Sequence, residues 1–141
     1  MSKTDSAAVP GHLGFLAFLF LIWHGALAVD YLLVRFPMGL DLPSLQPAVE
    51  GAPGWARISW ALGIWLGLIA AIFAMMRDDA AVLLFFAACI GMAVAVVGAE
   101  LSSPPELLFN LPRQAVYAAL VLVPFFGWIY TRAMKRAAVL H

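Results

Sequence analysis

Four long apolar runs, each close to the length of a membrane crossing, constrain this sequence more than any other feature. A transmembrane helix needs about 20 mostly apolar residues, and a lipid-facing helix is apolar on every side. None of the runs alternates apolar with polar residues as a membrane strand does. The sequence therefore predicts an all-α integral membrane bundle, a single domain with transmembrane helices at 13–33, 58–76, 80–99 and 115–130.

Composition excludes most soluble classes of protein. Hydrophobic residues make up 65% of the 141 residues and charged residues make up 11%. A soluble domain averages about 45–50% hydrophobic and about 25% charged residues. Eight basic and eight acidic residues leave no positive excess for nucleic acid. The single cysteine, Cys89, excludes an internal disulfide framework and a cysteine metal cluster. We expect the lipid bilayer as partner, no nucleic acid, no metal and no cofactor.

The connections between the runs differ in length. Asp78 and Asp79 form a very tight turn, which predicts an antiparallel hairpin of the second and third helices. The segment 37–54 has four prolines and three glycines and reads as an irregular loop with one short surface helix near 44–50. The fourth helix is expected to continue past the membrane to Leu140.

Basic residues predict the orientation, because cytoplasmic segments carry an excess of lysine and arginine. One side of the membrane would carry five basic residues, which are Lys3, Arg77, Arg132, Lys135 and Arg136. The other side would carry three, which are Arg35, Arg57 and Arg113. We therefore expect a bacterial inner-membrane protein with both termini in the cytoplasm.

His24 lies about 16 Å into the first span, close to the membrane midplane. Lipid does not solvate ionisable groups, so such a residue is a functional hypothesis by default. Three interpretations stay open: a hydrogen bond to a neighbouring helix, a haem or chlorophyll ligand, and a proton relay. Haem held between helices usually takes two histidines at one depth, and His12 and His141 both fall at the membrane boundary. The hydrogen bond is therefore favoured.

A belt of charged residues is predicted at the opposite boundary. Asp30 lies about 9 Å beyond His24 and points about 120° away from it, so the two cannot share one site. A carboxylate just inside lipid is costly unless it is paired, which predicts a pair of Asp30 with Arg57 or Arg113. Glu100 ends the third span at the same level. The belt either anchors the helices or lines a small outward vestibule.

Small residues mark the predicted helix contacts. Gly63 and Gly67 form a GxxxG pair in the second span, and Gly91 and Gly98 lie on a small-residue face of the third. Small residues let helix backbones approach closely, and packing rather than hydrophobicity holds helices together in lipid. These faces are interpreted as contacts within the bundle, with a homodimer contact as the alternative.

Several aromatic and glycine motifs resemble those of a known family. The motifs are Trp23-x-Gly25-x-x-x-x-Asp30-Tyr31, Pro53-x-Trp55, Trp60-Ala61-Leu62-Gly63-Ile64-Trp65-x-Gly67 and Tyr130-x-Arg132-Ala133-Met134. With them the chain resembles, over nearly its whole length, small four-span proteobacterial inner-membrane proteins of unknown function. Some members carry an automatic "sugar transporter" label. The resemblance implies an inner-membrane location.

Two functions remain open. We find no glycine-rich phosphate loop, no HExxH and no nucleophile elbow, so no enzyme activity is expected. The first function is an accessory or assembly subunit that packs by small-residue helix faces against a larger membrane complex or a copy of itself. The second is a small homodimeric solute transporter with Asp30 as its substrate- or proton-binding carboxylate. The first is favoured because coupled transporters bind solutes near the midplane, where this chain has one histidine and no carboxylate.

Overall fold

Four α-helices make up the computed structural model, which describes residues 10–36, 51–103 and 111–141; these ranges contain no strand. The helices are α1 (Gly11–Arg35), α2 (Gly54–Met76), α3 (Ala80–Leu101) and α4 (Leu111–Arg136). All four are long and apolar enough to cross a membrane. At 1.5 Å per residue they span roughly 33–39 Å, more than the ~30 Å of a bilayer's hydrocarbon core. The all-α four-helix prediction is confirmed.

Prolines begin three of the helices. Pro10 and Pro53 stand immediately before α1 and α2 in extended conformation. Pro112 is the second residue of α4, where a missing N–H group breaks no helical hydrogen bond. For this reason α4 begins at Leu111, ahead of the predicted start at 115. The short helix predicted near 44–50 lies outside the described residues.

The turn between α2 and α3 is as tight as the sequence predicts. Arg77 adopts a left-handed conformation with φ of 63°, and the N–H groups of Arg77 and Asp78 donate back to the carbonyls of Ala74 and Phe73. These two bonds close the last turn of α2. The Asp78 Oδ1 atom then accepts the Ala80 N–H at 2.8 Å and so starts α3.

The chain folds back after α4 instead of extending as a helix. Ala138 has φ of 54°, and the Val139 N–H donates to the Met134 carbonyl at 3.0 Å. The tail then buries Val139 and Leu140 against Leu13, while the His141 N–H donates to the Arg77 carbonyl. The expectation of a helix as far as Leu140 is therefore wrong, because two bulky apolar side chains pack better against the bundle than along an exposed helix.

The start of α1, the C-terminal tail and the α2–α3 turn lie at one end of the bundle, which we call the terminal end. The other end, with Asp30, Arg57 and Glu100, is the loop end. The packing of α2 on α3 is the most extensive; α4 lies on α3, α1 lies on α2, and α1 and α4 barely touch. Eleven of the 21 buried apolar residues in the described ranges are alanines, whereas many of the large apolar side chains are exposed. The helices are thus held by close backbone approach, as expected in lipid.

Candidate functional site

His24 is completely buried near the middle of the bundle. Its Nδ1 atom donates to the Phe20 carbonyl at 2.9 Å, so this hydrogen bond lies within α1 and the favoured bond to a neighbouring helix is wrong for this nitrogen. Because a carbonyl oxygen can only accept a hydrogen bond, Nδ1 must carry the proton. In the neutral ring the other nitrogen, Nε2, is then unprotonated and is a hydrogen-bond acceptor. That atom lies against Gly67 of α2 and has no hydrogen-bond partner among the described residues. A Cβ atom on Gly67 would overlap both Cδ2 and Nε2 of the ring.

A second aromatic ring, beside that of His24, packs against a second glycine. Phe85 of α3 is fully buried, and a Cβ atom on Gly127 of α4 would lie 2.8 Å from its ring. The centroids of His24 and Phe85 are 5.9 Å apart, and Phe20 lies 5.2 Å from Phe85. We call His24 and Phe85 the central ring pair. The His24 ring of α1 fills the space left by Gly67 of α2, and the Phe85 ring of α3 fills the space left by Gly127 of α4. Because the two rings lie beside each other, the central ring pair connects all four helices.

The remaining predicted glycines also lie between helices. A Cβ atom on Gly63 would lie 3.0 Å from the Met92 backbone nitrogen, and one on Gly91 would lie 3.1 Å from the Gly63 Cα atom. A Cβ atom on Gly98 would overlap Ala56 of α2. The small faces of α2 and α3 are therefore used within this chain, and their close approach explains why these two helices have the largest contact.

Arg113 and Glu100 form part of a polar cluster between α3 and α4 at the loop end. Arg113 Nη2 lies 3.5 Å from Glu100 Oε1, and the Gln114 side chain donates to the same oxygen at 3.1 Å. Arg113 also donates to the Tyr117 hydroxyl at 2.9 Å and to the Ser103 hydroxyl. These five residues are named the loop-end cluster. Their hydrogen bonds hold the first turns of α4 against the last turn of α3.

Asp30 and Arg57 lie at the same end of the bundle but differ in exposure. Asp30 is half-buried, with its Oδ2 atom enclosed, whereas Arg57 is exposed. The pairing of Asp30 with Arg57 or Arg113 stays a prediction. Asp30 and His24 do not form a single site, because the His24 ring is enclosed by Phe20, Gly67 and Phe85.

A second group of charged residues at the terminal end did not enter the predicted site. Lys135 Nζ lies 2.6 Å from Asp79 Oδ2, so the end of α4 is tied to the α2–α3 turn. The Arg132 guanidinium lies over the Trp128 ring, 5.5 Å from its centroid. The spacing 128, 132 and 135 places these three α4 side chains on one helix face, and that periodicity is the sequence signal that could have identified them.

One of the open interpretations of His24 is a haem or chlorophyll ligand, and the packing around its ring bears on it. Gly67 of α2 lies so close to the Cδ2 and Nε2 atoms of His24 that a single Cβ atom there would overlap the ring, which leaves little room for a cofactor between α1 and α2. In the described ranges no group of three or more His, Cys, Asp or Glu side chains could hold a metal ion. Comparisons with protein-family models, with curated proteins and with solved structures find no match to this chain.

Proposed function

We propose that this chain is a small non-enzymatic membrane subunit that attaches to a larger membrane complex or to a second copy of itself. The enclosure of His24 carries the proposal. Coupled transporters bind their solutes near the midplane, at helices that are interrupted there. Here α1, α2 and α3 cross that depth without a proline, α4 stays helical across Pro124, and the His24 ring is packed against Gly67 and Phe85.

The ties at both ends of the bundle support a static role. At the loop end, Arg113 joins α4 to α3 through Glu100 and Ser103. At the terminal end, the Lys135–Asp79 pair and the buried Leu140 join α4 and the tail to the rest of the bundle. Alternating access needs one set of helices to rock against another. Ties across the same helices at both ends oppose such rocking.

The outward side of α1 supports attachment to a partner. Gly14 and Gly25 lie three helical turns apart on this side, and a Cβ atom on either would have no neighbouring atom within 4 Å. Large apolar residues, Phe18 and Ile22 among them, surround the two glycines on the same helix. A partner helix could approach α1 closely here, because α1 touches α4 very little.

Native mass spectrometry of the protein, extracted from its membrane in mild detergent, tests this proposal. We expect a dimer or a complex with other subunits, and we expect Gly25→Leu to release the monomer because leucine keeps a partner helix at a distance. Ala118→Leu, on the exposed side of α4, is the matched control and should leave the assembly intact. A wild-type protein that is monomeric in several mild detergents would contradict the proposal.

The second candidate function is a small homodimeric transporter, and the enclosed Oδ2 atom of Asp30 favours it. A half-buried carboxylate near the membrane boundary can bind a proton or a cationic group of a solute. In reconstituted vesicles, a transporter of this kind would carry protons or solute, and Asp30→Asn would abolish the flux while the helical content survives. Flux that is equal in wild type, Asp30→Asn and empty vesicles would dismiss this candidate.

The proposed location is the bacterial inner membrane with both termini in the cytoplasm. The three basic residues Arg132, Lys135 and Arg136 at the end of α4 support this orientation, because positively charged segments stay on the cytoplasmic side. The family resemblance described above supports the same membrane.

A further inference from the structure

A groove opens between α3 and α4 near the terminal end. Its volume is about 330 Å³, at the lower end of the roughly 300–1,000 Å³ typical of ligand pockets. Its lining is mostly apolar, with one charged pair at the mouth: Val82, Leu83, Phe86 and Trp128, then Asp79 and Lys135. Leu83 is 69% exposed and Phe86 41%, so the groove faces outward and not into the bundle. In a membrane, lipid acyl chains are the apolar groups that reach such a groove.

Positive charge is concentrated at the mouth of the groove. Trp128, Arg132 and Lys135 follow one face of α4, so the helix passes from an apolar ring in the groove to two cations within two turns. Arg136 adds a third cation in the last turn, and α4 contains no acidic residue. Asp79 of the α2–α3 turn is the carboxylate in contact with this group.

We propose that this groove binds one anionic phospholipid. Its acyl chain lies along Val82, Leu83 and Phe86, and its phosphate is bound by Arg132 and Lys135. Basic pockets between transmembrane helices at the membrane surface bind lipid headgroups in this way. The cation of Arg132 is already positioned over Trp128, and Lys135 is half exposed, so both remain accessible to a phosphate. Because the residues at the mouth of the groove carry a net positive charge, they attract an anionic headgroup more strongly than a zwitterionic one.

Asp79 sets a limit on the affinity of this site. Its carboxylate holds Lys135 at 2.6 Å and therefore competes with a lipid phosphate for the same ammonium group. The side chain makes no capping hydrogen bond to α3, so its charge can be removed without loss of a helix cap. Neutralising Asp79 should strengthen the binding of an anionic lipid and weaken the binding of a lipid that carries an ammonium group.

The test reconstitutes the full chain in nanodiscs of phosphatidylcholine with a small fraction of phosphatidylglycerol, and native mass spectrometry then counts the lipids that each protein retains. We expect one phosphatidylglycerol per chain. The double variant Arg132→Gln/Lys135→Gln should bind it roughly 30-fold more weakly, which corresponds to about 1 kcal/mol for each cation. Arg35→Gln removes a cation at the loop end and is the matched control, with retention unchanged.

Two outcomes would overturn the proposal. The first is equal retention of phosphatidylglycerol by the wild type and the double variant, with circular dichroism showing both proteins folded. The second concerns Asp79→Asn, which should raise phosphatidylglycerol retention. Unchanged or lower retention in that variant, or a preference for phosphatidylcholine in the wild type, would show that the groove does not select an anionic headgroup. Neither outcome depends on whether the chain is a subunit or a transporter.

Discussion

A single methyl group at Gly67 should separate α1 from α2. The Cβ atom of Gly67→Ala would overlap Cδ2 and Nε2 of His24. The imidazole cannot swing away freely, because Nδ1 is bonded to the Phe20 carbonyl and Phe85 lies beside the ring. Either α1 moves outward or the ring leaves its hydrogen bond.

The cost can be estimated from these contacts. Overpacking a well-packed core costs about 1–3 kcal/mol, while alanine in place of glycine within a helix gains about 0.5–1 kcal/mol. Gly67→Ala should therefore destabilise the bundle by about 1–2 kcal/mol. Gly54→Ala, at the start of the same helix, is the matched control, because a Cβ atom on Gly54 has nothing within 4 Å; it should be neutral or slightly stabilising.

Reversible unfolding in mixed detergent micelles, followed by circular dichroism, measures these free energies. A double-mutant cycle tests whether His24 is the residue that the new methyl group overlaps. In a His24→Ala background the imidazole is absent, so Gly67→Ala adds its methyl group to the space that the ring occupied. There it should cost nothing, which gives a coupling energy of about 1–2 kcal/mol. If Gly67→Ala is as well tolerated as Gly54→Ala, or costs the same with and without His24, the contact between α1 and α2 is not the one described.

Three further perturbations follow from the structure. Arg77→Gly should raise the free energy of unfolding by about 0.5–1 kcal/mol, because glycine adopts the left-handed conformation of Arg77 without strain; a loss of stability would contradict the assigned turn. Arg113→Met should lower the free energy of unfolding by about 1–3 kcal/mol, because Glu100 and Tyr117 lose the guanidinium that contacts them both. The exposed control Arg136→Met should change it by less than about 0.5 kcal/mol, and equal effects of the two variants would argue against the loop-end cluster. A periplasm-active reporter fused at His141 should be silent, and strong activity would reverse the orientation.

The sequence predicts the helices well because each of them depends on local properties. Long apolar runs report directly on helices in lipid, where every backbone group must be bonded within its own segment. The turn at Asp78 and Asp79 is likewise local, since its three hydrogen bonds, two to carbonyls of α2 and one to the Asp78 side chain, form within eight residues. The end of α4 is harder to predict because the tail's buried position at Leu140 depends on contact with Leu13, at the other end of the chain.

The partners of the polar residues depend on helix rotation, which one sequence does not report. Depth along the helix places Glu100 and Arg113 at one level, but only the adjacency of α3 and α4 brings them within 3.5 Å. The Arg113–Tyr117 contact has the spacing of one helical turn and is visible in the sequence. The contact of His24 with Gly67 has no such signal, because neither residue type reveals which helix face meets the other.

Water accessibility at the bundle centre tests the central claim, that the helices are tightly packed at the membrane midplane and leave no path for a solute. In a Cys89→Ala background, His24→Cys and Ile64→Cys place single thiols at fully buried positions, and Ser102→Cys places one at the exposed end of α3. A membrane-impermeant maleimide added to both sides of the membrane should label Ser102→Cys and leave the two central thiols unmodified. Rapid labelling of His24→Cys or Ile64→Cys in the folded protein would show a water-filled path and contradict the account.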